Sequence, residues 1–255
     1  MMIDLHSHIL PGVDDGSPDM ATSIAMARMA INDGIKVMAC TPHFLPGLYD
    51  NNASDVRFRI DALSQVLAEQ NIDLVLVAGG DIHVRPDFVE AIKTKRVLTL
   101  NDSRYVLLEP PHVIMPLRLE DLVLSLVNSG YVPVITHPER LGWIEQNYAA
   151  VARMVQSGAW LQITAGSVTG RFGKRAQSWT QKLLEDGLVH IMASDAHNLG
   201  SRPPKLSHAV ALVAQQIGPL EAQKLVFDRP LAVLHNQAAE IAPTHLQSNT
   251  HWKRA

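Results

Sequence analysis

One cysteine, Cys40, stands in a chain of 255 residues. A lone thiol excludes an intramolecular disulfide and suits a reducing compartment. Charge is also scarce: the formal net value is -3. That leaves no basic footprint for nucleic acid or an anionic membrane. No apolar run reaches transmembrane length, and the first residues lack the basic-then-apolar order of a secretory leader. A cytoplasmic protein with no direct membrane insertion is expected. Familiar catalytic signatures are missing too. There is no Gly-x-Ser-x-Gly elbow and no Gly-Lys-Ser phosphate loop. A cysteine-phosphatase cradle would need Arg six positions after Cys40, where Pro46 stands.

What the chain has is rhythm. Apolar segments at 2–5, 35–40, 73–79, 105–109, 132–136, 159–164 and 188–193 read as seven strands. Their near-continuous hydrophobicity is that of buried parallel strands covered on both faces. Helical punctuation fills the gaps. Ser17 is expected as an N-cap with Pro18 at the first helical position, and Gly34, Gly130, Gly158 and Gly187 as stops. Alternation of this kind implies right-handed crossovers and an α/β fold with a parallel sheet. The length and the 47% apolar share suit a single β/α barrel. An open doubly wound sheet satisfies the periodicity equally well. Helical stretches are expected near 206–217, 219–227 and 230–240. The polar segment 243–255, "PTHLQSNTHWKRA", is expected to be loosely ordered.

The chain is rich in histidine, with 12, and their positions matter more than their number. Strand 1 ends in His6 and His8, which share a face if the strand continues, followed by Asp14 and Asp15. Strand 2 ends at His43, strand 3 at Asp81 and His83, and strand 4 at Glu109 and His112. Strand 5 leads to His137, Glu139 and Arg140, and strand 7 to Asp195 and His197. Each residue alone has an ordinary reading as a turn, cap or hydrogen-bonded pair. Together they place metal-type ligands at one end of six strands, which scattered surface polars would not do. In a barrel those ends form the catalytic rim. Imidazole and carboxylate donors without thiolate suit zinc, manganese, iron or nickel, and the supply fits two or three ions sharing carboxylates. Arg140 and Arg202 on the same rim offer forks for phosphate, with Glu139 as the ordinary partner for Arg140. His83 and His112 stay open. His190, His208, His235, His245 and His251 are read as structural.

The segments "DLHSHILPGVDDG", "CTPH", "LLE", "THPER", "TGRFGKRA" and "SDAHN" with a following "RPP" resemble the polymerase and histidinol phosphatase (PHP) superfamily. Within it, they are most similar to the metal-dependent tyrosine-protein phosphatases of bacterial capsule and exopolysaccharide synthesis, of CpsB/CapC type. The resemblance covers about residues 1–240. It implies a single-domain distorted TIM-like (β/α)7 barrel over 1–242 that hydrolyses phosphotyrosine with a metal-activated hydroxide. Three divalent ions are implied, Mn2+ foremost, with Zn2+ or Fe2+ as alternatives. The implied substrate is the tyrosine-rich tail of a bacterial tyrosine kinase. By motif, one ion takes His6, His8, Asp81 and Asp195, and a second shares Asp81 and adds Glu109 and His137. A third takes Asp14, His43 and His197, while Arg140 and Arg202 bind phosphate. The family usually carries Glu where this chain has Asp81, shorter by one methylene. Three rivals stand beside this reading. One is a PHP-type phosphatase of a small metabolite such as histidinol phosphate. Another is an amidohydrolase-like enzyme, disfavoured because no lysine ends a strand. The last is a catalytically impaired metal-binding or interaction module.

Overall fold

Pro42 and the Gly79-Gly80 pair interrupt what the sequence presents as two continuous strands. Pro42 has no N–H to give to a ladder. At Gly80 an added Cβ would lie 2.6 Å from the Phe44 ring, so only glycine lets the neighbouring segment approach. The seven expected strands therefore appear as nine in the computed structural model, which describes residues 1–238. The expected tail at 243–255, the boundary at 242, His245 and His251 lie outside the described residues.

The chain begins with β1 (Met2–Ser7), α1 (Met20–Asp33), β2 (Ile35–Cys40), β3 (His43–Phe44) and α2 (Ala53–Glu69). It continues with β4 (Val75–Ala78), β5 (Asp81–His83), α3 (Phe88–Lys93), β6 (Tyr105–Glu109) and α4 (Leu119–Asn128). Then come β7 (Val132–Thr136), α5 (Ile144–Gln156), β8 (Trp160–Thr164), α6 (Ala165–Val168), α7 (Gly173–Glu185) and β9 (Ile191–Ala193). The last described elements are α8 (Ser207–Ile217), α9 (Pro219–Gln223), a π turn at Lys224–Asp228 and α10 (Arg229–Leu234). The start of α1 differs from expectation. Asp19, not Ser17, is the N-cap, accepting from the Thr22 amide at 2.8 Å. Ser17 is buried instead, with its hydroxyl bonded to Asp19 O and Ser23. Gly34, Gly130, Gly158 and Gly187 all take positive φ at helix ends, as read.

Every strand pair is parallel. The ladders form two sheets, β1-β2-β4 and β3-β5-β6-β7-β8-β9, and not one uninterrupted ring among the described residues. They meet along two seams. At one, β3 and β5 prolong β2 and β4, and the Asp81 amide donates to Pro42 O at 3.1 Å. At the other, β1 runs beside the segment leaving β9. The Asp195 amide donates to His6 O at 2.9 Å and the His8 amide to Ala196 O at 2.8 Å. The buried Asp4 carboxylate fastens this seam, accepting from the Ser194 amide and hydroxyl at 3.0 and 2.5 Å.

Two apolar clusters hold the sheets. The larger packs helices against their outer faces. The smaller gathers Ile3, Leu5, Ala39, Tyr105, Leu107, Val134, Trp160 and Ile191 from both sheets, with Val233 closing one end. Trp160 also stacks on the buried His190 ring at 5.1 Å, and the Leu161 amide donates to His190 Nδ1 at 3.2 Å. Burial and then the nearby Arg229 push the His190 imidazole down to about 3. It is neutral in the fold, whereas in the unfolded chain it takes a proton below about 6.5. Its contribution is therefore lost as pH falls from 6.5 towards 3, by up to roughly 1.4 kcal/mol per pH unit. His190→Asn is expected to flatten the acid limb of stability relative to the parent, read as urea midpoints between about pH 7.5 and 5. Parallel curves for the two proteins would refute this.

Candidate metal centre

A change of face inside β1 sets the site. Strict alternation would put Ser7, not His6, beside Ile3 and Leu5. The β1-β2 register runs Asp4↔Met38 and then Ser7↔Cys40, so three steps on β1 oppose two on β2. This extra residue turns His6 inward, where its Nδ1 lies 2.8 Å from Gln162 Oε1, two residues along β8 from Trp160. His8 follows on the same side, with its Nε2 3.2 Å from His6 Nε2. The loop after β1 then doubles back on His8. An added Cβ at Gly16 would sit 2.2 Å from His8 O, so that position admits no side chain.

Around the two histidines the strand ends converge. Asp81 Oδ2 is 3.4 Å from His6 Nε2 and 3.5 Å from His43 Nδ1. Asp195 Oδ1 is 3.4 Å from the Nε2 atoms of both His6 and His8. Glu109 reaches His43 Nδ1 at 3.2 Å, His83 Nε2 at 2.5 Å and His137 Nε2 at 3.5 Å. The grouping expected as His6, His8, Asp81 and Asp195 is assembled here. Despite its short side chain, Asp81 is fully buried within it. Asp81 and Glu109, expected to share an ion with His137, both approach His43, and Glu109 also lies beside His137.

One expected ligand stands elsewhere. Asp14 turns its carboxylate to the outer side of His8, with Oδ2 2.7 Å from His8 Nδ1, and accepts from the His43 and Gly16 amides. The loop's reversal at Gly16 leaves the preceding residue, Asp15, aimed inward. Asp15 Oδ1 lies 3.4 Å from the Nε2 atoms of both His43 and His197. Asp15, with His8, His43 and His197, thus makes the cluster that the sequence reading gave to Asp14. His83 and His112, left open by sequence, both face Glu109, the latter at 3.6 Å. Gln162 was missed altogether. Its only signal was a polar residue inside the apolar run "AWLQIT".

His137 and Asp195 adopt left-handed backbone, with φ of 36° and 51°. Such conformations cost about 1–3 kcal/mol each in a non-glycine residue and persist only where the surroundings impose them. Electrostatics favour positive charge at the centre. Burial opposes it on His6, yet Asp81 and Asp195 outweigh burial and hold the imidazole up at about 9. Burial is likewise overcome at His43 by Asp15, Glu109 and Asp81, which hold it at about 11. His197 goes the other way, pushed by burial and then by His8 down to about 4. Burial resists the charge on Asp195 too, but His6, His8 and Arg202 keep its carboxyl well below the usual range.

The donor set fits divalent ions. Both oxygens of Asp81, Asp195 Oδ1, His137 Nδ1 and His197 Nε2 are buried without a hydrogen-bond partner. Acceptor-rich atoms crowded this way need a cation. The outer nitrogens of His6, His8 and His197 are meanwhile engaged by Gln162, Asp14 and the Asp195 carbonyl, which aims each Nε2 inward. At the mouth, Arg140 and Arg202 reach the same oxygen, Asp195 Oδ2, at 2.5 and 2.6 Å. Their guanidinium carbons stand 4.4 and 5.9 Å from the Phe172 ring centre. Glu139, the ordinary partner weighed for Arg140, is buried and accepts from the Thr164 amide instead.

Residues 2–235 match the family model described as capsular polysaccharide synthesis, CpsB/CapC. The chain belongs to the CpsB/CapC family. It is 37% identical to the tyrosine-protein phosphatase YwqE of Bacillus subtilis over 236 residues, 92% of each chain. With the tyrosine-protein phosphatase CpsB of Streptococcus pneumoniae it shares 31% over 241 residues, 92% of this chain and 99% of that one. A chain from the crystal structures of YwqE and pneumococcal CpsB, unique metal-dependent tyrosine phosphatases, superposes with a TM-score of 0.90 at 37% identity. The match covers 93% of this chain and 96% of that one.

The Asp14 and Asp15 placements separate in metal binding. Asp15→Ala is expected to lower the number of manganese ions retained per chain, read by elemental analysis after dialysis. Asp14→Asn is expected to keep the number and weaken affinity by about 10–100-fold. Equal loss of ions in both variants would return Asp14 to the ligand set.

Proposed function

We propose that this chain is a metal-dependent protein-tyrosine phosphatase, a phosphoric monoester hydrolase acting on phosphotyrosine in a protein. The observation that carries the reading is the pair of arginines converging on Asp195 at the mouth of the acceptor cluster. Two forks on one carboxylate oxygen are already arranged for an anion with several oxygens. The arginine side chains are 17% and 21% exposed and Asp15 about half, 48%, so a projecting aryl phosphate can reach them.

Three divalent ions, with Mn2+ first among them, are assigned to the centre. His6, His8, Asp81 and Asp195 would hold one, Asp81, Glu109 and His137 the second, and Asp15, His43 and His197 the third. When bound, such ions supply Lewis acidity, lowering the pKa of water towards neutrality and offsetting phosphoryl charge. The chain's own residues do the rest. Gln162 and Asp14 fix the orientation of His6 and His8. Arg140 and Arg202 orient the phosphoryl oxygens and stabilise the charge that gathers on them, and Phe172 restrains Arg140 from behind. No protein nucleophile is activated here: Cys40 is buried and burial pushes its thiol up. The leaving phenolate, with a pKa of about 10, departs without strong acid assistance.

The two sheets, sharing one inner apolar cluster and joined at the Asp4 seam, support a distorted (β/α)7 barrel over 1–242. No helix among the described residues is long and apolar enough to cross a membrane. We place the enzyme in the cytoplasm, and its substrate in the tyrosine-rich tail of a bacterial tyrosine kinase, in keeping with a family named for capsular polysaccharide synthesis.

The test is phosphate release from a phosphotyrosine peptide by metal-stripped protein reloaded with Mn2+, Zn2+, Mg2+ or nothing. Histidinol phosphate runs alongside. Release is expected with Mn2+ and absent in His6→Ala. Arg140→Ala and Arg202→Ala are each expected to lose about a hundredfold in kcat. Turnover of the small ester alone would move the assignment to a metabolite phosphatase. Silence with every ion would point to a binding role.

A further inference from the structure

A second basic concavity opens beside the phosphate arginines. A cavity of about 270 Å³ lies between the loop linking α6 to α7 and the segment leading into α8. Arg171, Arg202, Lys205 and His208 line it, and Phe172 forms part of its wall. Its one acidic residue, Asp33, sits at the start of α8. Asp33 accepts from the Leu206 and Ser207 amides at 2.6 and 2.9 Å and from the Ser207 hydroxyl at 2.5 Å. Asp195 pairs with Arg202, but Arg171 and Lys205 have no carboxylate partner among the described residues. Arg171 donates a side-chain N–H only to Gly200 O, at 3.1 Å, and Lys205 has no ion pair among the described residues. Arg202 keeps its Nε buried and without a partner while its far nitrogen holds Asp195. Three cations against one lining carboxylate leave the cavity net positive, and an incoming anion is drawn to it.

We infer that this cavity is a subsite for a second anionic side chain of the phosphopeptide, a carboxylate or a further phosphate close in sequence to the scissile phosphotyrosine. The inference rests on the phosphatase reading for the identity of the peptide, but the charge pattern stands on its own. Arg202 borders both places, so an anion here lies one guanidinium away from the phosphate held by the other face of the site. Phe172, shared between the cavity wall and the Arg140 stack, fixes the distance between the two. The substrate class is thus an acidic phosphotyrosine segment. An isolated phosphotyrosine or a compact metabolite ester could fill only the first position.

The test uses metal-loaded protein and fluorescent peptides carrying a difluoromethylphosphonate mimic of phosphotyrosine, so that binding is read without turnover. The flanking position is varied among Gln, Glu and a second mimic. Glu and the second mimic are expected to bind about five- to tenfold more tightly than Gln. The advantage is expected to shrink below about twofold in the Arg171→Ala/Lys205→Ala double variant and at about 0.5 M salt. Hydrolysis of p-nitrophenyl phosphate by that variant is expected to stay at the parent level, since neither residue touches the metal cluster. The arm with the larger gain names the anion. Equal binding of all three peptides, or an advantage that survives in the double variant, overturns the subsite. A charge preference in binding with no hydrolysis of any aryl phosphate keeps the subsite and sinks the phosphatase reading instead.

Discussion

Three carboxylates, Asp81, Glu109 and Asp195, are buried together at one end of the parallel sheets, and the rest of the molecule is arranged around that burden. Carboxylates gathered in a poorly hydrated place repel each other and lose their water, at a cost of several kcal/mol per ion unless opposite charge is supplied. The protein supplies it in layers. Imidazoles stand among the carboxylates, two arginines lean on the outermost oxygen, and the remaining acceptors are left for cations. Raised histidines beside lowered acids are the signature of that arrangement. Activity follows from the same imbalance, because a site that must gather positive charge will also hold a phosphate.

Rigidity comes from further out. The inner apolar cluster presses both sheets together beneath the acidic centre, and the Asp4–Ser194 bonds tie β1 to the segment carrying Asp195 and His197. Segments far apart in the chain are thereby held at fixed spacing by backbone hydrogen bonds. The strained φ angles of His137 and Asp195 are tolerated in this frame. A parallel architecture suits the task, since every strand arrives at the same end and each can leave a polar residue there.

Much of this was legible in the chain. Apolar runs bounded by glycine gave the strand positions, and His, Asp and Glu at their ends gave the centre, because both signals are local. What escaped depended on contacts between distant segments. The choice between Asp14 and Asp15 turns on a loop that folds back over His8, and adjacent aspartates look alike in sequence. Gln162 reads as an interruption in an apolar strand until His6 is seen beside it. The splitting of two strands at Pro42 and Gly79-Gly80 follows from local chemistry that apolar periodicity passes over. The relation of Arg140 to Asp195, and not to Glu139, is set across 55 residues of chain.

The extra residue in β1 has a consequence for how this strand encodes two things at once. Ile3 and Leu5 belong to the fold, His6 and His8 to the centre, and the irregularity between Asp4 and Ser7 is the only punctuation between them. It works like a change of reading frame. Were β1 to pair with β2 without that extra step, Ile3 and Leu5 would keep their face while His6 and His8 turned to the opposite one. A chain so altered keeps the pattern that directs folding and loses the one that gathers charge. Fold and chemistry are thus divided within one short strand by a single irregularity of pairing.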